Sequence, residues 1–261
     1  MVSSYAYQIA SMTWSYSRLR AYEDCGYGFF LKYLYEEEEQ GHFYAEYGSL
    51  MHHILERFYN RSITKEQALT EFCTGFVLKV TTDVKPGISE KYYEQGKAYL
   101  SSLEMPNEKI VGIEEQLDFK IEGNPFIGFI DLLLENDGEL VIQDHKSRIL
   151  QPKSFTKGNK TEQKNNDEFD SFAKQLYLYS AGVEQKYGRL PKEIRFNCFR
   201  NGTVVTEKFD KKKYNEAKSW AVNTIDMIKH ETEWRPKVEW FKCWNICGFT
   251  QSCEYCGMEG K

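Results

Sequence analysis

The sequence predicts an α/β domain. Its first 105 residues carry helical patterns, and strand patterns follow as two hairpins, one around Asp137 and one around Asn201. At 261 residues, of which 41% are hydrophobic and 28% charged, the chain can bury a substantial core without disulfides. We therefore expect one domain over residues 1–261, made of a mainly helical part (1–105), a sheet core (106–232) and a C-terminal tail (233–261).

The composition bears on the class of protein and on its cellular location. A net charge of −5 argues against a nonspecific nucleic-acid coat protein, although a groove within an acidic chain can still be basic. No apolar run approaches the roughly 20 residues of a membrane span, and residues 1–20 lack the pattern of a signal peptide. These features predict a cytoplasmic protein that does not enter a membrane and keeps its seven cysteines reduced.

The helical part should begin with two short helices over residues 15–35 that meet at Cys25. A lone cysteine among aromatic residues is usually a small core residue, so Cys25 by itself is a weak ligand candidate. Residues 45–59 predict a longer helix that carries His52 and His53. Because adjacent residues leave a helix in different directions, at most one of these histidines points into a given site, and either is more often structural than a ligand. Two further helices are expected within residues 64–103.

The central hairpin, residues 128–147, predicts the geometry of a site. Two apolar runs flank an Asn-Asp-Gly sequence at 136–138, which is typical of a two-residue turn. Counting outward from that turn places Asp131 directly opposite Asp144, with their Cβ atoms about 5 Å apart. Like charges this close destabilise a sheet, so a positive group should lie between them.

Lys146 lies two residues beyond Asp144 and shares its face, because side chains alternate along a strand. Two carboxylates that can hold a hard divalent cation, with an ammonium beside them, are suited to metal-assisted hydrolysis of a phosphodiester. The simpler alternative is a surface hairpin with a solvated charge pair. The opposite face should be core, formed by Ile130, Leu132, Leu134 and Val141.

The segments on either side of this hairpin could add to the site. Residues 109–121 predict a strand with Glu114, which faces either the site or solvent. Residues 151–166 are polar and predict a mobile loop, which could alternatively contact phosphates. The lysines of that loop are Lys153, Lys157, Lys160 and Lys164.

The rest of the sheet core follows in a helix, a hairpin and a helix. Residues 170–187 predict a helix on which Gln175 and Tyr179 share a face. Residues 193–209 predict the second hairpin, and residues 211–233 predict the last long helix.

Four cysteines crowd the C-terminal tail: Cys243, Cys247, Cys253 and Cys256. Thiolates this close repel one another unless a metal or cluster neutralises them, and zinc and iron–sulfur clusters both do so. Zinc needs only these four thiols, but their spacing is not that of a zinc ribbon, which has two short-spaced pairs well apart.

Five stretches, taken in order, are similar to the RecB-like exonucleases of the PD-(D/E)XK superfamily, in the iron–sulfur branch that includes AddB-like and CRISPR-adaptation nucleases. They are SYSRLRAYEDCGYGFFLKYL, GSLMHHILERFY, GFIDLL, IQDHKS and QLYLY. The resemblance implies a mixed β-sheet flanked by helices, with the two ends of the chain joined by a four-cysteine [4Fe-4S] cluster. It also implies DNA as the substrate, Mg²⁺ or Mn²⁺ as the cofactor, and protein partners in recombination or CRISPR adaptation.

The resemblance also assigns roles to residues. It implies metal binding by His52, Asp131 and Asp144, and catalysis by Lys146, with Glu114 as an auxiliary carboxylate. It implies DNA-contacting or site-organising roles for Gln175 and Tyr179. The cluster ligands would be Cys25, Cys243, Cys247 and Cys253, with Cys256 as a possible substitute, because Cys243 stands one residue away from the family position.

The function that we expect from the sequence is therefore a DNA exonuclease acting on single strands or duplex ends in phage or bacterial recombination, repair or CRISPR adaptation. The alternatives are a non-catalytic DNA-binding recombination accessory protein and an endonuclease on the same fold. Intact Asp131, Asp144 and Lys146 argue against the accessory protein, because loss of activity usually removes one of them.

Overall fold

The computed structural model describes residues 5–154, 156 and 159–256. Its helices are α1 (Ala6–Ala10), α2 (Tyr16–Asp24), α3 (Gly26–Tyr33), α4 (Phe43–Tyr59), α5 (Lys65–Lys79), α6 (Ile88–Ser101), α7 (Lys160–Tyr187), α8 (Lys211–His230) and α9 (Trp240–Asn245). Its strands are β1 (Lys109–Ile121), β2 (Asn124–Asn136), β3 (Glu139–Lys146), β4 (Glu193–Cys198) and β5 (Thr203–Lys208).

The five strands form one mixed sheet in the order β1-β2-β3-β4-β5. Neighbouring strands are antiparallel except β3 and β4, which are parallel and are connected by the long helix α7. A parallel pair needs such a crossover, because the chain must return to the same end of the sheet. The predicted α/β fold with a mixed sheet flanked by helices is confirmed.

Helices cover both faces of the sheet and bury a separate core on each. One core joins the sheet to α1, α2, α3, α7 and α8, with Leu19, Phe29 and Leu176 among its buried residues. The other joins the sheet to α4, α5 and α6 and includes Met51 and Phe72. Within the described ranges, no helix is long and apolar enough to cross a membrane.

The predicted turn of the central hairpin is present. Asn136 pairs with Glu139, and Asp137 and Gly138 have φ values of 49° and 79°, as the two positions of a type I′ turn require. The predicted joint at Cys25 is also present. Its backbone is extended, and its sulfur accepts a hydrogen bond from the main-chain N–H of Gly28 (3.3 Å), which caps the start of α3.

The prediction of a loop over residues 151–166 is wrong at its C-terminal end. Helix α7 begins at Lys160, because Asn159 caps it by accepting hydrogen bonds from the N–H groups of Thr161 and Glu162. The lysine-rich composition of this segment favoured a loop prediction in spite of the capping asparagine. The predicted helix over 170–187 is therefore the C-terminal part of a helix of 28 residues.

One glycine in β2 lets α7 approach the sheet closely. A Cβ atom built on Gly128 would lie 2.7 Å from Cε1 of Tyr179, nearer than packed side chains come. The close approach joins two of the stretches that carry the family resemblance, since Gly128 opens GFIDLL and Tyr179 ends QLYLY.

We expect Gly128→Ala to lower the free energy of unfolding by about 1–3 kcal/mol, because the added methyl group must displace a buried ring. Gly48→Ala is the matched control. Gly48 lies within α4 with no atom near its added Cβ, so this change should be neutral or stabilise by up to about 1 kcal/mol. Chemical denaturation of both variants measures the difference, and equal stability would show that Tyr179 can move freely.

Candidate active site

The hairpin strands separate at the point where the two aspartates lie. The β2–β3 pairing follows the predicted register but ends at Leu132 and Gln143, one pair before Asp131 and Asp144. Asp131 Oδ2 instead accepts a hydrogen bond from the main-chain N–H of His145 (2.6 Å). The predicted direct pairing of the two aspartates is therefore not formed, because the Asp131 side chain takes the place of a backbone partner.

The regular alternation of side chains along β2 is also interrupted at Asp131. Ile130 packs in the core with α7, whereas Leu132 and Leu134 pack in the core with α4. The prediction that Ile130 shares a core face with those two leucines and Val141 is therefore wrong. On the neighbouring strand β1, Glu114 has a left-handed φ of 45°, which interrupts regular alternation beside Asp131.

This irregular stretch brings three potential metal ligands together. His52 Nδ1 lies 3.5 Å from Asp131 Oδ1 and 3.6 Å from Glu114 Oε1, and one ligand atom from each residue lies within 4.8 Å of the others. Glu114 therefore faces the site rather than solvent alone. His53, the other candidate histidine, is exposed, so only one of the pair points inward.

Burial and neighbouring charges shift the pKa values of these residues in opposite directions. Burial lowers the pKa of His52, but Asp131 and Glu114 outweigh burial and raise it to about 10. Burial alone would raise the pKa of Asp131, but His52 and the N–H of His145 hold it below its usual value. Burial raises the pKa of Asp144, which Lys146 opposes and the charge of Asp131 reinforces. A divalent cation would relieve this crowding of negative charge.

Lys146 is held by groups from two elements. Its Nζ lies 2.8 Å from Asp144 Oδ2 and donates a hydrogen bond to Gln175 Oε1 on α7 (3.2 Å). The same Nζ lies 4.7 Å from the ring centroid of Phe172. The site-organising alternative for Gln175 is therefore the one that the geometry favours. Tyr179 is only 6% exposed and packs on Gly128, so the predicted DNA contact through this ring is not available.

His145, between Asp144 and Lys146, fixes two of the potential ligands through its backbone. Its N–H holds Asp131, and its carbonyl oxygen lies 3.1 Å from His52 Nε2. With its pKa of about 10, His52 carries a proton on Nδ1 beside the carboxylates at neutral pH. A cation that displaces this proton would find the Nδ1 lone pair directed toward the carboxylates while Nε2 donates to the carbonyl.

The His145 side chain lies on the α4 side of the sheet, opposite the Lys146 side chain, which contacts α7. Its ring stacks on Tyr59 at 5.5 Å, and its Nδ1 lies 3.0 Å from Asn197 Nδ2 on β4. Asn197 also donates to the hydroxyl of Tyr99 (2.6 Å). No sequence pattern indicated this support. The parallel register that pairs His145 with Asn197 could not be read before the β3–β4 pairing was known.

The residues fit a hard divalent cation. Asp131 and Glu114 offer carboxylate oxygens, and His52 offers a nitrogen. Asp144 is not one of the three converging ligands. It pairs instead with Lys146.

The lysines predicted as phosphate contacts have different surroundings. Lys153 is 15% exposed in its side chain and pairs with Asp170, so it is not free for the predicted phosphate contact. Lys157 lies outside the described residues. Lys160 and Lys164 are exposed on the first turns of α7, four residues apart and therefore on one face.

The cysteine-lined cavity is a separate feature, with a volume of about 290 Å³, at the end of α2 and the start of α3. Its cysteines are Cys25, Cys243, Cys247, Cys253 and Cys256. Burial raises the pKa of the Cys247 thiol, and the neighbouring sulfurs of Cys243, Cys253 and Cys25 raise it further. No three of the described cysteine sulfurs lie within 4.8 Å of one another.

Comparison with known proteins agrees with the fold and the site. The carboxylates and the lysine that lie where the central strands separate are suited to metal-assisted hydrolysis. Residues 13–258 match the PD-(D/E)XK nuclease superfamily, and the chain belongs to it. Membership implies a metal-dependent nuclease activity and DNA as the substrate.

Two further comparisons add little. The crystal structure of SSO0001 is 12% identical to the chain with a TM-score of 0.33, and the alignment covers 80% of this chain and 85% of that chain. No curated protein matches the chain.

Proposed function

We propose that the protein is a metal-dependent DNA exonuclease that hydrolyses phosphodiester bonds in single strands or at duplex ends. The observation that supports the hydrolytic site best is the convergence of His52, Glu114 and Asp131 beside the Asp144–Lys146 ion pair. The exonuclease specificity rests on the order of the sequence motifs that resemble RecB-like enzymes. As part of the same proposal, the enzyme works in the cytoplasm of a bacterial or phage-infected cell.

His52 and Asp131 would hold Mg²⁺ or Mn²⁺ together with Glu114, which already converges with them, and Asp144 would complete the ligands from the side of Lys146. A bound divalent cation offsets the charge of the scissile phosphate and lowers the pKa of a coordinated water. The backbone of His145 holds Asp131 and His52 in position for such a cation.

Lys146 would act on the phosphate or on the attacking water. Its ammonium group is held between Asp144 and Gln175, so it does not have to be reoriented when negative charge develops on the phosphate. Gln175 therefore serves the reaction by positioning Lys146. Lys160 and Lys164, exposed on one face, remain available to contact the DNA backbone.

We further propose that Cys25, Cys243, Cys247 and Cys253 hold an iron–sulfur cluster of the [4Fe-4S] type, with Cys256 as a substitute for Cys243. The proposal is supported by the location of these five cysteines, which come from both ends of the chain and line one cavity of about 290 Å³. Zinc at the terminal cysteines is the alternative.

End-labelled DNA tests the exonuclease. With Mg²⁺ or Mn²⁺, the protein should shorten linear single strands or blunt duplexes and leave a closed circular single strand intact, and EDTA should stop the reaction. Whether the 5′ or the 3′ label is lost first gives the polarity. Equal loss of circular DNA would make the enzyme an endonuclease, and no cleavage of any substrate would contradict the proposed function.

A further inference from the structure

A second cavity lies next to the proposed active site, where the chain leaves β3. Its volume is about 280 Å³, and its lining includes Ser147 and Arg148, which directly follow Lys146. Tyr44, Tyr92 and Phe241 contribute aromatic rings to the same lining. No carboxylate residue is among the described residues that line it. We call this space the aromatic cavity.

Phe241 is an unusual element of this lining because it is exposed. It lies on α9 with 52% of its surface accessible, and the neighbouring Trp240 and Trp244 are 55% and 53% exposed. Of these three rings, Phe241 is the one that lines the aromatic cavity. Large aromatic residues clustered on a surface are typical of binding sites.

The cation of the aromatic cavity is available for a ligand. Arg148 has 54% of its side chain exposed, and its Nε lies 3.7 Å from Glu168 Oε1. An exposed ion pair at this distance contributes little to stability. A phosphate can therefore replace Glu168 as the partner of Arg148 at small cost, and it offers a stronger bidentate contact.

We propose that the aromatic cavity binds one unpaired nucleotide of single-stranded DNA adjacent to the scissile phosphate. The base stacks against Phe241 and Tyr44, and the neighbouring phosphate pairs with Arg148. This inference rests on the proposed function and narrows its substrate to DNA with an unpaired strand at the site.

The chemistry and the location both favour single-stranded DNA over a protein partner. Aromatic rings beside an arginine match the alternating base and phosphate of a single strand. Ser147 and Arg148 of the lining also directly follow the catalytic Lys146 in the chain, so a strand bound in the cavity lies close to the site of hydrolysis. In a duplex, neither face of a base is free, because both are covered by stacking with the neighbouring pairs.

The test measures binding of a fluorescein-labelled 12-nucleotide single strand by anisotropy in EDTA, so that no cleavage occurs. Phe241→Ala should raise Kd about fivefold or more, since stacking of one base accounts for a change of that size. Trp240→Ala is the matched control, because it removes an equally exposed ring from the same helix outside the cavity, and it should change Kd less than twofold. Phe241→Tyr should bind like the wild type, and blunt duplex binding should be unaffected by Phe241→Ala.

A second measurement locates the stacked base. Single abasic sites are moved along the 12-nucleotide strand. One position should weaken wild-type binding about fivefold and have no further effect on Phe241→Ala, because the ring and the base are then two halves of the same contact.

Three results would overturn the inference. These are wild-type binding by Phe241→Ala, equal losses for Phe241→Ala and Trp240→Ala, and equal losses for single strands and duplexes. These results can be distinguished from a failure of the proposed function. If the protein cleaves DNA but Phe241→Ala binds single strands like the wild type, only the proposed role of the aromatic cavity is rejected. If single-strand binding depends on Phe241 but no cleavage occurs with Mg²⁺ or Mn²⁺, only the proposed nuclease activity is rejected.

Discussion

Asp131→Asn should lose both Mn²⁺ binding and DNA cleavage, whereas Lys146→Met should keep Mn²⁺ binding and lose cleavage. Asp131 contributes the charge that faces His52 at 3.5 Å, and a neutral amide is a poor ligand for a hard cation. Its Oδ2 also holds the backbone of His145, and an asparagine oxygen can still accept that hydrogen bond, so the fold should be retained. Lys146 touches Asp144 and Gln175 but offers no ligand atom while it is charged.

Titration calorimetry with Mn²⁺ and single-turnover cleavage of a linear strand separate these two roles. We expect Mn²⁺ affinity to fall about 100-fold or more in Asp131→Asn, and cleavage to fall about 100-fold or more in Lys146→Met. Asp118→Asn is the matched control, because Asp118 is exposed on β1 and should affect neither measurement. Wild-type Mn²⁺ affinity in Asp131→Asn would exclude Asp131 as a ligand.

Local patterns predicted the elements that local forces determine. The turn at residues 136–138 needs positive φ at two positions, and the Asp-Gly pair satisfies that requirement without outside help. The joint at Cys25 is likewise local, since its sulfur caps the next helix. Helix α4 could be placed because its apolar stripe is continuous, and this placement brought His52 to the sheet.

The site departs from prediction where tertiary contacts override local pairing. Continuing the hairpin register to Asp131 and Asp144 ignored the competing N–H of His145. The left-handed backbone at Glu114 has no signal in the sequence, because a residue other than glycine adopts it only when the surroundings stabilise it. Lys153 was expected in a mobile loop or on phosphate, because its partner Asp170 comes from a helix and lies seventeen residues further along the chain.

The proposed cluster would join Cys25 to cysteines more than two hundred residues away, and removing that link gives the largest expected effect on stability. Cys25→Ser should lose the iron, the sulfide and the brown colour of anaerobically purified protein, and it should unfold at a lower temperature. In the loop-entropy account, a link that closes so long a segment stabilises a fold by on the order of 5 kcal/mol. Zinc held by the four terminal cysteines predicts instead that Cys25→Ser keeps its metal.

Serine is an informative replacement because it retains the local role of Cys25. The cysteine sulfur accepts the N–H of Gly28 at the start of α3, and serine is among the preferred residues at that capping position. A loss of stability in Cys25→Ser therefore reports the missing link rather than a missing cap. Cys73→Ser, on α5 and outside the cysteine-lined cavity, is the matched control and should keep its iron. Colourless wild-type protein with one zinc per chain, retained by Cys25→Ser, would exclude the iron–sulfur cluster, and the site at Asp131 and Glu114 would still stand because none of these cysteines contributes to it.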